Sequence, residues 1–242
     1  MGGNACYRSA AGICQLFHEP KHRLHFAGTL GDRHGGSTAG HDILRSPHDD
    51  PGLVVLRQEL IFVTSLQSLY ARIEEVPNVP LDPELAMLVL AIEDRRFRRH
   101  RGVDLRSMAR AIWGLARRRP NGGGSTIDMQ LVRTLTGRYG RTVGRKLTEM
   151  HFALRLRRRF GADRVLNTYA AVAYCGEGLT GFASAADYLF KQSVRECSTD
   201  EKAVLAAVLL YPVLREPTDR WRHRLGARSK RAVKLLTNLA RG

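Results

Sequence analysis

The chain has 242 residues, 43% of them hydrophobic, enough for one substantial domain with a tail or for two small ones. Its formal net charge is +16, with arginine well ahead of lysine, which calls for an anionic partner: nucleic acid, a phosphorylated substrate or an anionic membrane. Four cysteines (Cys6, Cys14, Cys175, Cys197) form no C-x-x-C pair, which argues against a zinc ribbon or a thioredoxin-like site and favours buried or incidental thiols. The apolar runs, such as Leu85 to Ile92, fall far short of the roughly 18–20 residues that cross a bilayer, and no signal-peptide pattern opens the chain.

Residues 1–52 carry His18, His22, His25, His34, His41 and His48 with poor apolar periodicity, and read as a disordered or weakly ordered tail. The histidine spacing is too irregular to suit a metal site. From Leu53 to the end the pattern is helical, and one domain over 53–242 is expected. A first helix through "LVVLRQELIFVTSLQSLYARI" is broken by "VPNVPLD". Asp82 then caps a helix with Pro83 in its first turn, running through "PELAMLVLAIEDRRF". "VDLRSMARAIWGLARRR" places Leu105, Met108, Ala109, Ile112 and Leu115 on one helical side. Further helices are expected over 126–135, 143–159, 163–174, 181–190, 199–210 and 224–239. Strand signals are sparse, so the fold class is mainly α.

Three stretches carry chemistry. In "AIEDRRFRRHRG" a continuous helix would put Glu93, Phe97 and His100 on one face, with Glu93 leaving an apolar segment. Burial raises a carboxyl pKa and nearby arginines lower it, a balance that suits a general base. The plainer alternative is a solvated helix end whose acids pair with Arg96 and Arg99. In "GRKLTEMHF" Arg145, Lys146 and Glu149 bring two cations beside an acid, which could hold phosphate, bind a metal or form surface salt bridges. In "NGGGSTIDMQLVRTL" glycines permit close backbone approach, Ser125 or Thr126 can cap a helix whose free N–H groups favour an anion, and Gln130 and Arg133 follow. A second GGST, Gly35–Thr38, lies in the tail with no such neighbours. "CGEGLTGF" has G-x-G-x-x-G spacing but no preceding strand, so its glycines are expected in a turn between helices rather than at a nucleotide.

Taken in order, these stretches resemble glycosyltransferase family 51, the peptidoglycan glycosyltransferases of penicillin-binding proteins and their monofunctional relatives. E-D-x-x-F-x-x-H-x-G is matched by Glu93, Asp94, Phe97, His100 and Gly102. G-G-S-T-I-T-Q-Q-L is matched by Gly123 to Ile127, Gln130 and Leu131. R-K-x-x-E is matched by Arg145, Lys146 and Glu149. "YCGEGLTGFASAADYLF" is similar to a fourth motif, and Arg231, Leu235, Leu236 and Leu239 approximate a fifth.

The resemblance implies a lysozyme-like, two-lobed helical domain with a smaller membrane-facing lobe, at the periplasmic face of the bacterial inner membrane. It implies polymerisation of lipid II with inversion at C1 of the donor MurNAc and release of undecaprenyl diphosphate. Glu93 and Glu149 would be the catalytic acids. Asp94, Phe97, His100, Ser125, Thr126, Gln130, Arg133, Arg145 and Lys146 would bind substrate. A divalent metal, Mg or Mn, remains open, with Glu149 its candidate ligand, and no nucleotide cofactor is implied. Partners would be lipid II, the growing glycan, the membrane surface and other cell-wall synthases, with no nucleic acid. No S-x-x-K occurs, so penicillin binding is not expected. The chain departs from the pattern at Asp128, Met129, Arg133, Asn167, Ala171 and Cys175. Asp128 is expected to put a negative charge near the diphosphate, which makes a weakened enzyme that binds lipid-linked precursor or a partner synthase the second reading. A basic nucleic-acid binder and a peptidoglycan-cleaving hydrolase are further alternatives.

Overall fold

A computed structural model describes residues 64–118, 123–139 and 142–240. The tail, the first GGST copy and the start of the first helix lie outside the described residues. Within them the chain is mainly helical. Helix α1 covers residues 64–75. It is followed by α2 (Pro83–Glu93), a 3-10 turn (Phe97–Arg99), α3 (Leu105–Ala116), α4 (Ile127–Thr136), α5 (Val143–Val172), strands β1 (Tyr174–Gly176) and β2 (Leu179–Thr180), α6 (Gly181–Phe190), α7 (Thr199–Val208) and α8 (Asp219–Ala240).

Local chemistry explains most boundaries. Asp82 caps α2 by accepting the Leu85 N–H at 2.9 Å, with Pro83 in the first turn. Thr126 caps α4 and Gly137, in the left-handed region, ends it. Ser198 and Glu201 form a capping box on α7. The two helices expected over 143–159 and 163–174 form one element bent at Gly161, whose φ of 77° no helix interior adopts. Of the "CGEGLTGF" glycines, Gly176 and Gly178 belong to a two-stranded antiparallel hairpin, β1 with β2, rather than a plain interhelical turn, and Gly181 opens α6.

The core is built from α2, α4, α5 and α7. Leu85, Leu88, Val89, Leu131, Val132, Phe152, Leu156, Leu205 and Val208 are buried together. Helix α7 is buried nearly all round, and α8 lies against both α2 and α7. At the start of α2, Lys202 of α7 is paired with Asp82 at 3.2 Å and Glu84 at 3.0 Å, which fixes where that helix begins. Asn167, one of the departures, accepts the Leu81 N–H at 3.0 Å and so tethers the segment before α2 to α5. Cys175 and Cys197 are buried and free, and burial pushes the Cys175 thiol up to about 12, far from reactive.

One expectation fails here. Helix α2 does not run on through Phe97; it stops at Glu93, and Asp94 turns inward. Helix α3 forms as expected, and its apolar side is largely uncovered: Leu105 is 67% exposed, Ile112 66% and Trp113 59%. Periodicity finds the stripe and cannot say what covers it.

Gly102 joins the turn after α2 to the middle of α5. Its φ is +108°, and a Cβ there would come within 2.5 Å of the Ala153 carbonyl oxygen. Gly102→Ala combines backbone strain with a steric clash, and is expected to cost about 2–3 kcal/mol in chemical denaturation.

Candidate active site

Four residues after α2 set the geometry. Asp94, 6% exposed, accepts from His100 Nε2 at 3.0 Å and from the backbone N–H of Ile127, the first residue of α4, at 3.1 Å. His100 Nδ1 accepts the Gly102 N–H at 3.1 Å, which leaves Nε2 as the protonated nitrogen facing Asp94. Thr126 Oγ1 donates to the Gly102 carbonyl at 2.6 Å and accepts from Met129 N–H at 3.3 Å. The "ED…H-x-G" and "GGST" stretches are thereby one hydrogen-bonded unit. The carboxylate of Asp94 sits at the positive end of α4, a favourable place for it.

Phe97, expected among the substrate-binding residues, is buried. Its ring packs under the Arg157 guanidinium at 4.0 Å and edge-on to His100 at 6.1 Å. Asp94, His100 and Thr126 likewise spend their polar atoms within the protein. The expected helical face of Glu93, Phe97 and His100 does not exist, because the turn after Glu93 separates it from the other two.

Glu93 opens onto a cleft of about 630 Å³ that Arg96, Ser107, Arg110, Ser125 and Arg231 also line. Its Oε1 accepts from Arg228 Nη2, and its Oε2 faces Gln130 Nε2 at 3.3 Å. Gln130 Oε1 accepts from the Tyr169 hydroxyl at 2.7 Å, and burial pushes the Tyr169 pKa upward, so it remains a donor. Neither Arg96 nor Arg99 partners Glu93. Arg96 pairs with Asp104 at 3.0 Å.

Glu149 is in another environment. Its side chain is 3% exposed; Oε1 accepts from Arg133 Nε at 2.8 Å and from Arg145, Oε2 accepts from Arg133 Nη2 at 3.3 Å, and Lys146 Nζ lies 3.7 Å away. Lys146 donates to Ser125 Oγ at 2.8 Å. The acid therefore gathers three cations beside the GGST turn and leaves them an excess of positive charge. Burial holds the Lys146 pKa below the usual lysine range, and Glu149 partly opposes that. Helix α4 ties the two acids together: Gln130 touches Glu93, and Arg133, one turn on, touches Glu149.

Glu149, ringed by cations, does not suit a divalent metal. The group with ligand-like spacing among the described residues is Asp94, His100 and Asp128, whose donor atoms lie within 4.8 Å of one another. A cation there would displace the His100 proton and compete with Arg157 for Asp128.

Asp128 is fully buried and does not face the cleft. Arg157 of α5 holds it through both oxygens, Nε at 2.8 Å and Nη2 at 2.6 Å, and also donates to the Phe97 carbonyl at 3.1 Å. Burial pushes the Asp128 carboxyl up and Arg157 pulls it back. The expected negative charge near a diphosphate is thus neutralised inside the core. Sequence reading missed Arg157, Tyr169, Arg228 and Arg110. Asp128 was a signal for Arg157, since a buried acid demands a partner; nothing local pointed to the other three.

The family described as transglycosylase matches residues 59–238, which is most of the chain and all of the motifs just placed. The chain belongs to the transglycosylase family. Penicillin-binding protein 1F of Bacillus subtilis (strain 168) is 33% identical over 153 residues, covering 62% of this chain and 21% of that protein. Penicillin-binding protein 4 of the same organism is 31% identical over 143 residues, 59% of this chain and 23% of the relative. A biosynthetic peptidoglycan transglycosylase of Haemophilus influenzae is 33% identical over 135 residues, 55% of each chain. This transglycosylase-family chain therefore spans about half the length of that relative and about a fifth of the two penicillin-binding proteins.

Because Asp128 and Arg157 are a buried pair, breaking it from either side leaves an unpaired charge. Arg157→Met is expected to lose about 3–5 kcal/mol of stability, and Asp128→Asn/Arg157→Met substantially less, by chemical denaturation. Asp128→Thr, which would restore the family's residue, is expected to lower the melting temperature without raising activity.

Proposed function

We propose that this protein is a peptidoglycan glycosyltransferase that polymerises lipid II at the periplasmic face of the bacterial inner membrane. The observation that carries the reading is the contrast between two acids joined by one helix. Glu149 is saturated by Arg133, Arg145 and Lys146. Glu93 opens to the cleft with one oxygen held only by the long Gln130 contact.

The first arrangement suits a diphosphate, and the second a proton acceptor. Glu93 takes the proton of the 4-hydroxyl of the acceptor GlcNAc as its oxygen attacks C1 of the donor MurNAc. The C1–O bond to diphosphate breaks, and undecaprenyl diphosphate leaves with the electron pair, inverting C1. The negative charge that develops on the leaving group is met by the three preorganised cations and the Ser125 hydroxyl. Glu149 acts by holding those cations together against their mutual repulsion. An inverting transfer to a good leaving group needs a base and a charge sink rather than a second acid.

The exposed face of α3 supports the membrane side of the reading. Leu105, Ile112 and Trp113 stand beside Arg106, Arg110 and Arg117, an apolar stripe edged with cations that suits an anionic bilayer surface. Arg117 lies 4.2 Å over the Trp113 ring. No helix among the described residues is long and apolar enough to cross a membrane.

With lipid II in detergent the protein is expected to form glycan polymer, and Glu93→Gln to slow this by about 10²–10⁴-fold. Polymerisation unaffected by that change removes Glu93 from the base role. Lys146, with its pKa depressed by burial, loses its charge at lower pH than an ordinary lysine. KM for the donor is therefore expected to rise on the alkaline side as pH passes through that depressed value. Lys146→Arg, protonated throughout, is expected to remove the alkaline rise.

A further inference from the structure

Glu93 occupies the last turn of α2. Helix carbonyls there carry partial negative charge, an unfavourable setting for a carboxylate. The compensating charge comes from elsewhere in the chain. Arg228, midway along α8, brings Nη2 to 2.5 Å from Glu93 Oε1 and to 3.5 Å from the Ile92 carbonyl oxygen. The two side chains are 13% and 16% exposed, so the contact is largely shielded from solvent. Arg228 Nε has no hydrogen-bond partner among the described residues, and the guanidinium is therefore held by its contacts with the end of α2.

The register of α8 is what delivers it. Leu225, Ser229 and Ala232 are buried, which turns the intervening Arg228 towards α2. On the other side of Glu93, Oε2 has only the Gln130 amide at 3.3 Å, and that amide is anchored by Tyr169. The two carboxyl oxygens are thus unequal: one clamped by a cation, one loosely held by a neutral group.

We propose that Arg228 is a positioning residue for Glu93, clamping Oε1 so that Oε2 is presented to the proton of the incoming acceptor hydroxyl. This rests on the reading of Glu93 as the base. The proton moves from the hydroxyl to Oε2 while the new C1–O bond forms and the bond to diphosphate breaks. The contribution of Arg228 is orientation, which matters because small misplacements of a reacting group cost large factors in rate. Arg228 makes no contact with the Arg133–Arg145–Lys146 cluster, so donor binding is not its task.

The test uses the full chain with lipid II in detergent, measuring kcat, KM and melting temperature for the wild type, Arg228→Ala and Arg228→Lys. For Arg228→Ala, kcat is expected to fall about 10–100-fold with KM within about twofold. Arg228→Lys, or millimolar guanidinium added to Arg228→Ala, is expected to recover much of the loss. A kcat that is unchanged or raised overturns the proposal. So does a rise in KM at constant kcat, or a kcat loss that tracks the melting temperature and that neither lysine nor guanidinium recovers. Absence of polymer from the wild type overturns the glycosyltransferase reading itself, and this proposal with it. Polymer from the wild type, abolished by Glu93→Gln and indifferent to Arg228→Ala, overturns this proposal alone.

Discussion

The buried carboxylate of Asp94 is the constraint on which the site depends. By turning inward after Glu93 it ends α2, accepts from His100 and from the first N–H of α4, and so fixes the angle at which two helices meet. His100 passes the constraint to Gly102, and Gly102 to Thr126, which caps α4. The loop of hydrogen bonds closes on itself, and no member can move alone. A carboxylate out of water is costly unless its acceptor capacity is filled, so the same penalty that makes Asp94 expensive also makes its geometry unique. Glu93 sits next to this knot in sequence, and its place at the cleft follows.

The positive charge of the chain has a second use besides any partner. Several arginines are spent inside the molecule. Arg157 satisfies Asp128 and the Phe97 carbonyl, Arg164 donates to the Ile73 and Val76 carbonyls, and Arg72 reaches the Leu135 carbonyl at the end of α4. The planar, multi-donor guanidinium can grip both oxygens of one carboxylate and a further carbonyl in a fixed geometry, which lysine cannot. Net charge by itself therefore overstates how much cation the surface displays, and an argument for nucleic acid from charge alone loses weight accordingly.

The sequence made helix starts legible where a side chain caps its own helix, as at Asp82, Thr126 and Ser198, since that chemistry is local. The bend at Gly161 was legible for the same reason. The end of α2 was not: its cause is an N–H of α4, more than thirty positions on. Nor could spacing tell that the side of α3 bearing Leu105 and Ile112 lacks a cover, because periodicity reports amphipathicity and not the identity of the apolar phase. At the site, the motif letters named Glu149 and the three cations that the structure gathers around it. They gave no sign that Phe97 and Asp128 both pack against Arg157 across the α4–α5 interface.

The two glutamates were indistinguishable as letters, and their surroundings separate them. Every oxygen of Glu149 faces a guanidinium or an ammonium, and the carboxylate gathers three cations that would otherwise repel one another. Its use is as their counter-charge. Glu93 faces one guanidinium and one carboxamide. A neutral neighbour on Oε2 gives up its contact at little electrostatic cost when a hydroxyl arrives, whereas a cation would not. The division of labour follows from which neighbours each acid has: cations on both oxygens make a fixed counter-charge, and a cation on one oxygen with an amide on the other makes a directed acceptor.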